Sequence, residues 1–292
     1  MSTLPRAPTA DDLPRAEQLL RQAGSENFTV ANRLLGAEIC GHLMAIYGYA
    51  RLVDDVGDEA PGDRDALLDV VEDELSVVFK GGEPTHPVMR ELAASVHACT
   101  LPDGPFRRLI AANRMDQTVT NYETWAQLME YCALSATPVG ELVLGVFGAA
   151  TPERIALSDR ICSGLQVAEH LQDIAEDRAR GRVYLPAEDM RRFGVDEESL
   201  ERASAPDGPL LALIGFEAAR GRQLLSSGAP LARTLPLRPR IAVAGFVAGG
   251  RAALDGLPGV GRGGFGRGDA ATPRRGRTRA LAGAFARAVL GR

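Results

Sequence analysis

Leu43-Met44-Ala45-Ile46-Tyr47-Gly48-Tyr49-Ala50-Arg51-Leu52-Val53-Asp54-Asp55-Val56-Gly57-Asp58 is the stretch on which the reading of this chain turns. From Leu43 to Val53 its only charge is Arg51, and it has no proline, so it is expected to form a helix buried on most sides. A helix advances about 100° per residue, which puts Tyr47, Arg51, Asp54 or Asp55, and Asp58 on one face at steps of three and four. Carboxylates at the end of a buried helix need cations, and Arg51 alone cannot neutralise three of them. A bound metal ion is the expected answer.

A second acidic block, Asp173-Ile174-Ala175-Glu176-Asp177, repeats the spacing 115 residues after Asp58, as read from the numbering. Gln166, Glu169 or His170, Asp173 and Asp177 form one polar stripe opposite Ile161, Leu165, Ala168 and Leu171. Acids four apart decorate many solvated helices, so either block alone is weak. Two such pairs facing a common cavity suit magnesium, which binds a few carboxylates together with phosphate oxygens and water. Arg178, Arg180 and Arg182 follow at once, with Tyr184 beyond them, and guanidinium groups there would take up charge as a diphosphate departs. The alternative is that these arginines pair with Glu176, Asp177 and Glu188.

The remaining composition supports a helical reading. The 292 residues are 45% hydrophobic, only 5% aromatic and nearly free of β-branched runs, which favours an all-α fold. Net charge of -5 gives no global reason to expect nucleic-acid binding. Cys40, Cys99, Cys132 and Cys162 are scattered without metal-ligand spacing and are expected as reduced thiols. No apolar window is long enough to span a bilayer, and the N-terminus has no signal-peptide pattern. A cytoplasmic protein is expected, with the Arg-rich stretch after Arg262 a candidate peripheral contact with anionic lipid at the inner face of a membrane.

Helices are expected at about 11–23, 37–57, 63–80, 87–99, 103–121, 123–149, 152–180, 207–233, 239–256 and 273–290, separated by Pro/Gly turns. Residues 181–204 read as a loop with one or two short helices. No break is long enough for an interdomain linker, so residues 1–292 are expected as one domain. Its core is residues 20–255, with a Gly/Arg-rich segment, 256–280, and a C-terminal helix at its periphery. Gly261 to Gly266 lacks the preceding strand that a nucleotide-binding loop requires.

The two acidic blocks, together with Gly181-Arg182-Val183-Tyr184-Leu185-Pro186 after the second, resemble the paired signatures of the squalene/phytoene synthase family. Ser25-Glu26-Asn27-Phe28 with Arg33 resembles the family's N-terminal segment, and Tyr131-Cys132 to Val139-Gly140 its central motif. The resemblance covers residues 20–255. It implies an isoprenoid synthase fold, a helical bundle around a central cavity, and magnesium bridging a prenyl diphosphate to Asp54, Asp58, Asp173 and Asp177. Glu169, where the family commonly has Asn, would be a further ligand. By the same resemblance Ser25, Phe28, Arg33, Arg51, Gln166, Arg180 and Arg182 would bind the substrate or its diphosphate, and Tyr47 and Tyr184 would shape the cavity. No nicotinamide or flavin is expected, and the partners implied are the prenyl diphosphate and other enzymes of the same pathway.

Departures from the family pattern narrow the expected chemistry. Condensing members carry a tyrosine three residues after the first tyrosine of the central motif, where this chain has Leu134. Ser135 and Thr137 before Pro138 resemble bacterial members of hopanoid pathways that add water to the cation formed from presqualene diphosphate. The expected reaction is presqualene diphosphate plus water to hydroxysqualene plus diphosphate, with Ser135 or Thr137 positioning the water. The competing readings are a synthase condensing two prenyl diphosphates, a head-to-tail prenyltransferase or terpene cyclase, and a non-catalytic partner protein on the same fold.

Overall fold

A computed structural model describes residues 6–15, 35–201, 206 and 208–257. Ser25, Phe28, Arg33 and the expected C-terminal helix lie outside the described residues. Within them the chain is helical, with no strand and one isolated bridge between Asn121 and Val183. The longer helices are α1 (Ala37–Asp58), α2 (Arg64–Phe79), α3 (Pro87–Cys99), α4 (Asp103–Met115), α5 (Trp125–Ser135), α6 (Thr137–Val146) and α7 (Pro152–Gln172). There follow α8 (Ile174–Ala179), α9 (Ala187–Phe193), α10 (Glu197–Glu201), α11 (Gly208–Gly228) and α12 (Leu237–Asp255).

Local chemistry explains most boundaries. Asp63 caps α2 by accepting from Ala66 N at 3.0 Å, and Thr124 with Gln127 closes a capping box on α5. Several expectations changed, among them the helix expected over 207–233, which ends at Gly228 before a 3-10 helix, Ala229–Thr234. The single helix expected over 123–149 is two, broken at Ala136, because Pro138 cannot donate to Leu134 and its ring crowds that carbonyl. The helix expected over 152–180 breaks at Asp173, whose ψ is 13°. The helix expected over 103–121 ends at Met115, and the next residues run beside the block 182–188.

α1 is buried from Ala45 to Val53 without interruption, as a run with Arg51 as its single charge permits. α7 is equally enclosed from Ile161 to Leu171 and packs along α11, α6 and α12. At the α7–α11 crossing, a Cβ on Gly164 would lie 3.0 Å from Gly221 O and 2.9 Å from Leu225, so this close approach needs glycine. Most buried apolar side chains, from Leu13 to Leu257, form one continuous core. Among the described residues no helix is long and apolar enough to cross a membrane.

Candidate active site

The end of α1 and the start of α4's C-terminal turn enclose a polar pocket. Asp54, Asp58, Asn113, Asp116, Tyr131 and Ser135 are among its lining residues. Asn113 Nδ2 donates to Asp54 Oδ1 at 3.2 Å, and the other oxygen, Asp54 Oδ2, is buried without a hydrogen-bond partner. Burial raises the Asp54 carboxyl well above the usual carboxylate range, with Asn113 opposing the shift and Asp58 reinforcing it. A Cβ on Gly57 would come within 2.2 Å of Asn113 Oδ1, so glycine here lets the amide reach Asp54.

The block after the second acidic cluster closes over this pocket. Arg182 donates to Asp58 Oδ1 at 2.7 Å, and Arg180 Nη1 stands 4.0 Å from Asp58 Oδ2. Arg182 and Asp58 are both nearly buried, which makes their pairing strong in the local medium. Val183 N donates to Thr120 O at 2.7 Å and Ala187 N to Tyr122 O at 2.9 Å, zipping residues 182–188 along 120–123. Tyr184 and Tyr131 then donate to the two oxygens of Asp116, each at 2.7 Å.

An aromatic wall backs these contacts. Tyr184 stacks on His170 at 4.2 Å and lies 5.3 Å from Tyr131. His170 is held by Gln166, whose Nε2 donates to His170 Nε2 at 2.9 Å. Gln166 and Glu169 are 1% and 3% exposed on α7, so the stripe expected from sequence is a buried one. Asp177 is also buried, and its carbonyl accepts from Arg182 N at 2.9 Å.

Not every expected residue joins the pocket. Arg51 Nη2 stands 2.9 Å from Asp55 Oδ1, one turn along α1, both residues are buried, and Arg51 Nε has no hydrogen-bond partner. Burial, opposed by Arg51, pushes Asp55 up to about 6. Tyr47 is buried one turn before Arg51, and burial raises its phenol. Ser135 lines the pocket, its hydroxyl donating to Tyr131 O at 3.1 Å. Thr137 instead donates to Ala133 O and accepts from Arg108, beside the Arg108–Glu141 pair. Of the three arginines after Asp177, Arg178 pairs with Glu197 and Arg180 with Glu176. Glu188 accepts from Trp125 N. Asn113 and Asp116 were not singled out from sequence; an Asn and an Asp three apart near a helix end carry no distinctive signal.

Next to the polar pocket lies an apolar cavity of about 450 Å³ of empty space, part of it open to solvent. Val143, Ile161, Leu165, Leu231 and Phe246 are among its walls, and Val139 lines both it and the polar pocket. A ligand with a charged head and a long apolar tail fits such an arrangement.

A divalent cation fits the donors present. Asp54 Oδ2 is an unshared buried oxygen in a pocket shared with Asp58. Among the described residues no three His, Cys, Asp or Glu side chains gather closely enough to hold an ion alone. Magnesium commonly needs only one or two carboxylates, completing its shell with water and substrate phosphate.

Comparison with known proteins adds a family. Residues 21–277 match the squalene/phytoene synthase family model. Hydroxysqualene synthase of Rhodopseudomonas palustris is 35% identical over 208 residues, 71% of this chain and 70% of that protein. Phytoene synthase of Mycobacterium bovis is 30% identical over 221 residues, 73% and 71% of the two chains. The crystal structure of squalene synthase HpnC from Alicyclobacillus acidocaldarius superposes with a TM-score of 0.75 at 41% identity, covering 82% of this chain and 90% of that one.

Proposed function

Because the chain belongs to the squalene/phytoene synthase family, we propose that it ionises presqualene diphosphate and lets water capture the rearranged cation, giving hydroxysqualene and diphosphate. The observation that carries this reading is the shared wall at Val139. It sets a carboxylate-lined pocket suited to a charged head beside an apolar cavity suited to prenyl chains. The family processes prenyl diphosphates, so the chain is an enzyme of that class.

In this proposal Asp54 and Asp58, with Glu169 near the end of α7 and Asp173 and Asp177 of the second block, would hold magnesium, which when bound would supply positive charge to the leaving diphosphate. Arg182 and Arg180, already at Asp58, take part of that charge as the carbon–oxygen bond breaks and its electron pair leaves with the diphosphate. Tyr131, which lines the pocket, offers aromatic ring density to a neighbouring cation, with Tyr184 and His170 packed behind it. Ser135 donates its proton to Tyr131 O, so toward the pocket its oxygen can only accept. A water donating to that oxygen turns a lone pair toward the cation, forms the new carbon–oxygen bond and gives up a proton to the departed diphosphate. Leu134, packed against the aromatic cluster, offers no phenol for deprotonating the cation.

The phytoene synthase relatives favour a second reading, condensation of two prenyl diphosphates. Purified protein with magnesium, incubated separately with presqualene diphosphate and with farnesyl diphosphate, decides between them by product mass spectrometry. Hydroxysqualene from presqualene diphosphate, with ¹⁸O from labelled water, is the expected result. Efficient consumption of farnesyl diphosphate alone would contradict it.

A further inference from the structure

Helix α12 has two faces of different use. Val243 and Phe246 look into the apolar cavity. On the opposite side Leu237 and Ile241, one turn apart, are 67% and 45% exposed. Ala244, Ala248 and Ala252 continue the exposed face at helical spacing. One exposed leucine needs no explanation, whereas an apolar strip along one helix face does.

Arginines border the strip. Arg233 and Arg238 are exposed and bind no carboxylate among the described residues. Among the described residues Arg240 reaches only Leu235 O and Arg251 only Ser226 Oγ, and neither meets a carboxylate. Asp255, at the far end of the strip, is occupied by Arg222. Residues 218–254 hold six arginines and no acid; 218–292 hold fourteen arginines against Asp255 and Asp269, in a chain of net charge -5.

We propose that this face of α12 docks on an anionic lipid bilayer, with Leu237 and Ile241 entering the acyl boundary and Arg233, Arg238 and Arg240 meeting the headgroup phosphates. Charge selects this occupant. A second copy would set these arginines against their own equivalents, and residues 258–292 would bring eight further arginines with one acid. Docking places the outer side of a cavity-lining helix against the phase in which long apolar chains dissolve. The inference concerns binding without substrate, so it stands or falls separately from the reaction.

Full-length protein is cosedimented with vesicles of phosphatidylcholine, with or without about 30 mol% phosphatidylglycerol. The bound fraction should rise at least about fivefold with the anionic lipid and fall as salt is raised. The double variant Leu237→Glu/Ile241→Glu should bind the anionic vesicles no better than phosphatidylcholine, while its melting temperature is unchanged because both side chains are exposed. Wild-type protein that does not sediment with anionic vesicles overturns the proposal. So does retained binding by the double variant that is lost only on changing Arg274, Arg275, Arg277 and Arg279 to Gln, which moves the contact to the tail. A lipid-free dimer that the double variant dissociates also overturns it, in favour of a second copy.

Discussion

Asp54 and Asp58 ride the last turns of one unbroken helix, whereas Asp173 stands at a break and Asp177 belongs to the short helix beyond it. The first block is a rigid acceptor, fixed by the buried run before it and by Asn113. The second brings its own cations. The break at Asp173 redirects the chain so that Arg182 crosses to Asp58 and Tyr184 to Asp116. One spacing thus serves two mechanical purposes: one block holds charge in place, the other closes over it.

If the first block is the fixed acceptor, Asp54→Asn should cost most. Diphosphate release is expected to fall by about 10²–10³, the range for a lost electrostatic contact to a reacting group. Melting temperature of the ligand-free protein should hold or rise, because a buried carboxyl whose pKa burial has raised is relieved of its charge. A melting temperature lowered by several degrees would instead make Asp54 a structural residue.

Arg182→Gln tests the closing side. Removing one partner of a buried pair leaves Asp58 uncompensated, which destabilises by about 3–5 kcal/mol when the remaining charge is fully buried. Arg180, 4.0 Å from Asp58, should soften that loss. Chemical denaturation should register the destabilisation, and turnover should fall about tenfold or more. Equal activity would mean that the 2.7 Å contact only ties the blocks together.

Gly57→Ala is a smaller perturbation of the fixed acceptor. Its Cβ displaces the Asn113 amide, and turnover should drop roughly tenfold, as it should in Asn113→Ala, which removes the amide without crowding α1. Full activity in Asn113→Ala would place the damage of Gly57→Ala elsewhere on α1.

The smallest effect concerns the segment that extends the second block. Arg220 on α11 bridges Asp189 at 2.6 Å and Glu217 at 3.1 Å. Burial pushes the Glu217 carboxyl up to about 8, against the pull of Arg220 and with help from Asp189. A carboxyl with a raised folded-state pKa stabilises the fold fully below its unfolded value near 4.5 and loses that contribution as pH rises through about 8. Glu217→Gln keeps an uncharged donor there, so its melting temperature should decline less than wild type between pH 5 and 9, by a few degrees. Parallel pH profiles would sink this account.

Much of this was legible in the residues. The run before Asp54, with Arg51 its single charge, announced a buried helix, and α1 spans Ala37–Asp58 where 37–57 was expected. The family resemblance was likewise legible in the two blocks and Arg182 to Pro186. Periodicity hid the breaks at Ala136 and Asp173, since Pro138 sits within an otherwise apolar helical pattern and Asp173 within an unbroken polar stripe. Asn113 and Asp116 stayed hidden because their significance comes from partners far away in the chain, such as Asp54 and Tyr184. Arg51, given a diphosphate role by the family resemblance, also pairs with Asp55, a contact that i,i+4 spacing already permitted.

The central claim is that both acidic blocks grip one metal-bound diphosphate. Calorimetric titration of inorganic diphosphate, with and without magnesium, into wild type, Asp54→Asn and Asp177→Asn tests it most directly. The account predicts tight binding only when magnesium and diphosphate are present together, with each single substitution weakening it by about tenfold or more, the scale of a lost charged contact. Binding that is independent of magnesium, or untouched by substitution in either block, would contradict it.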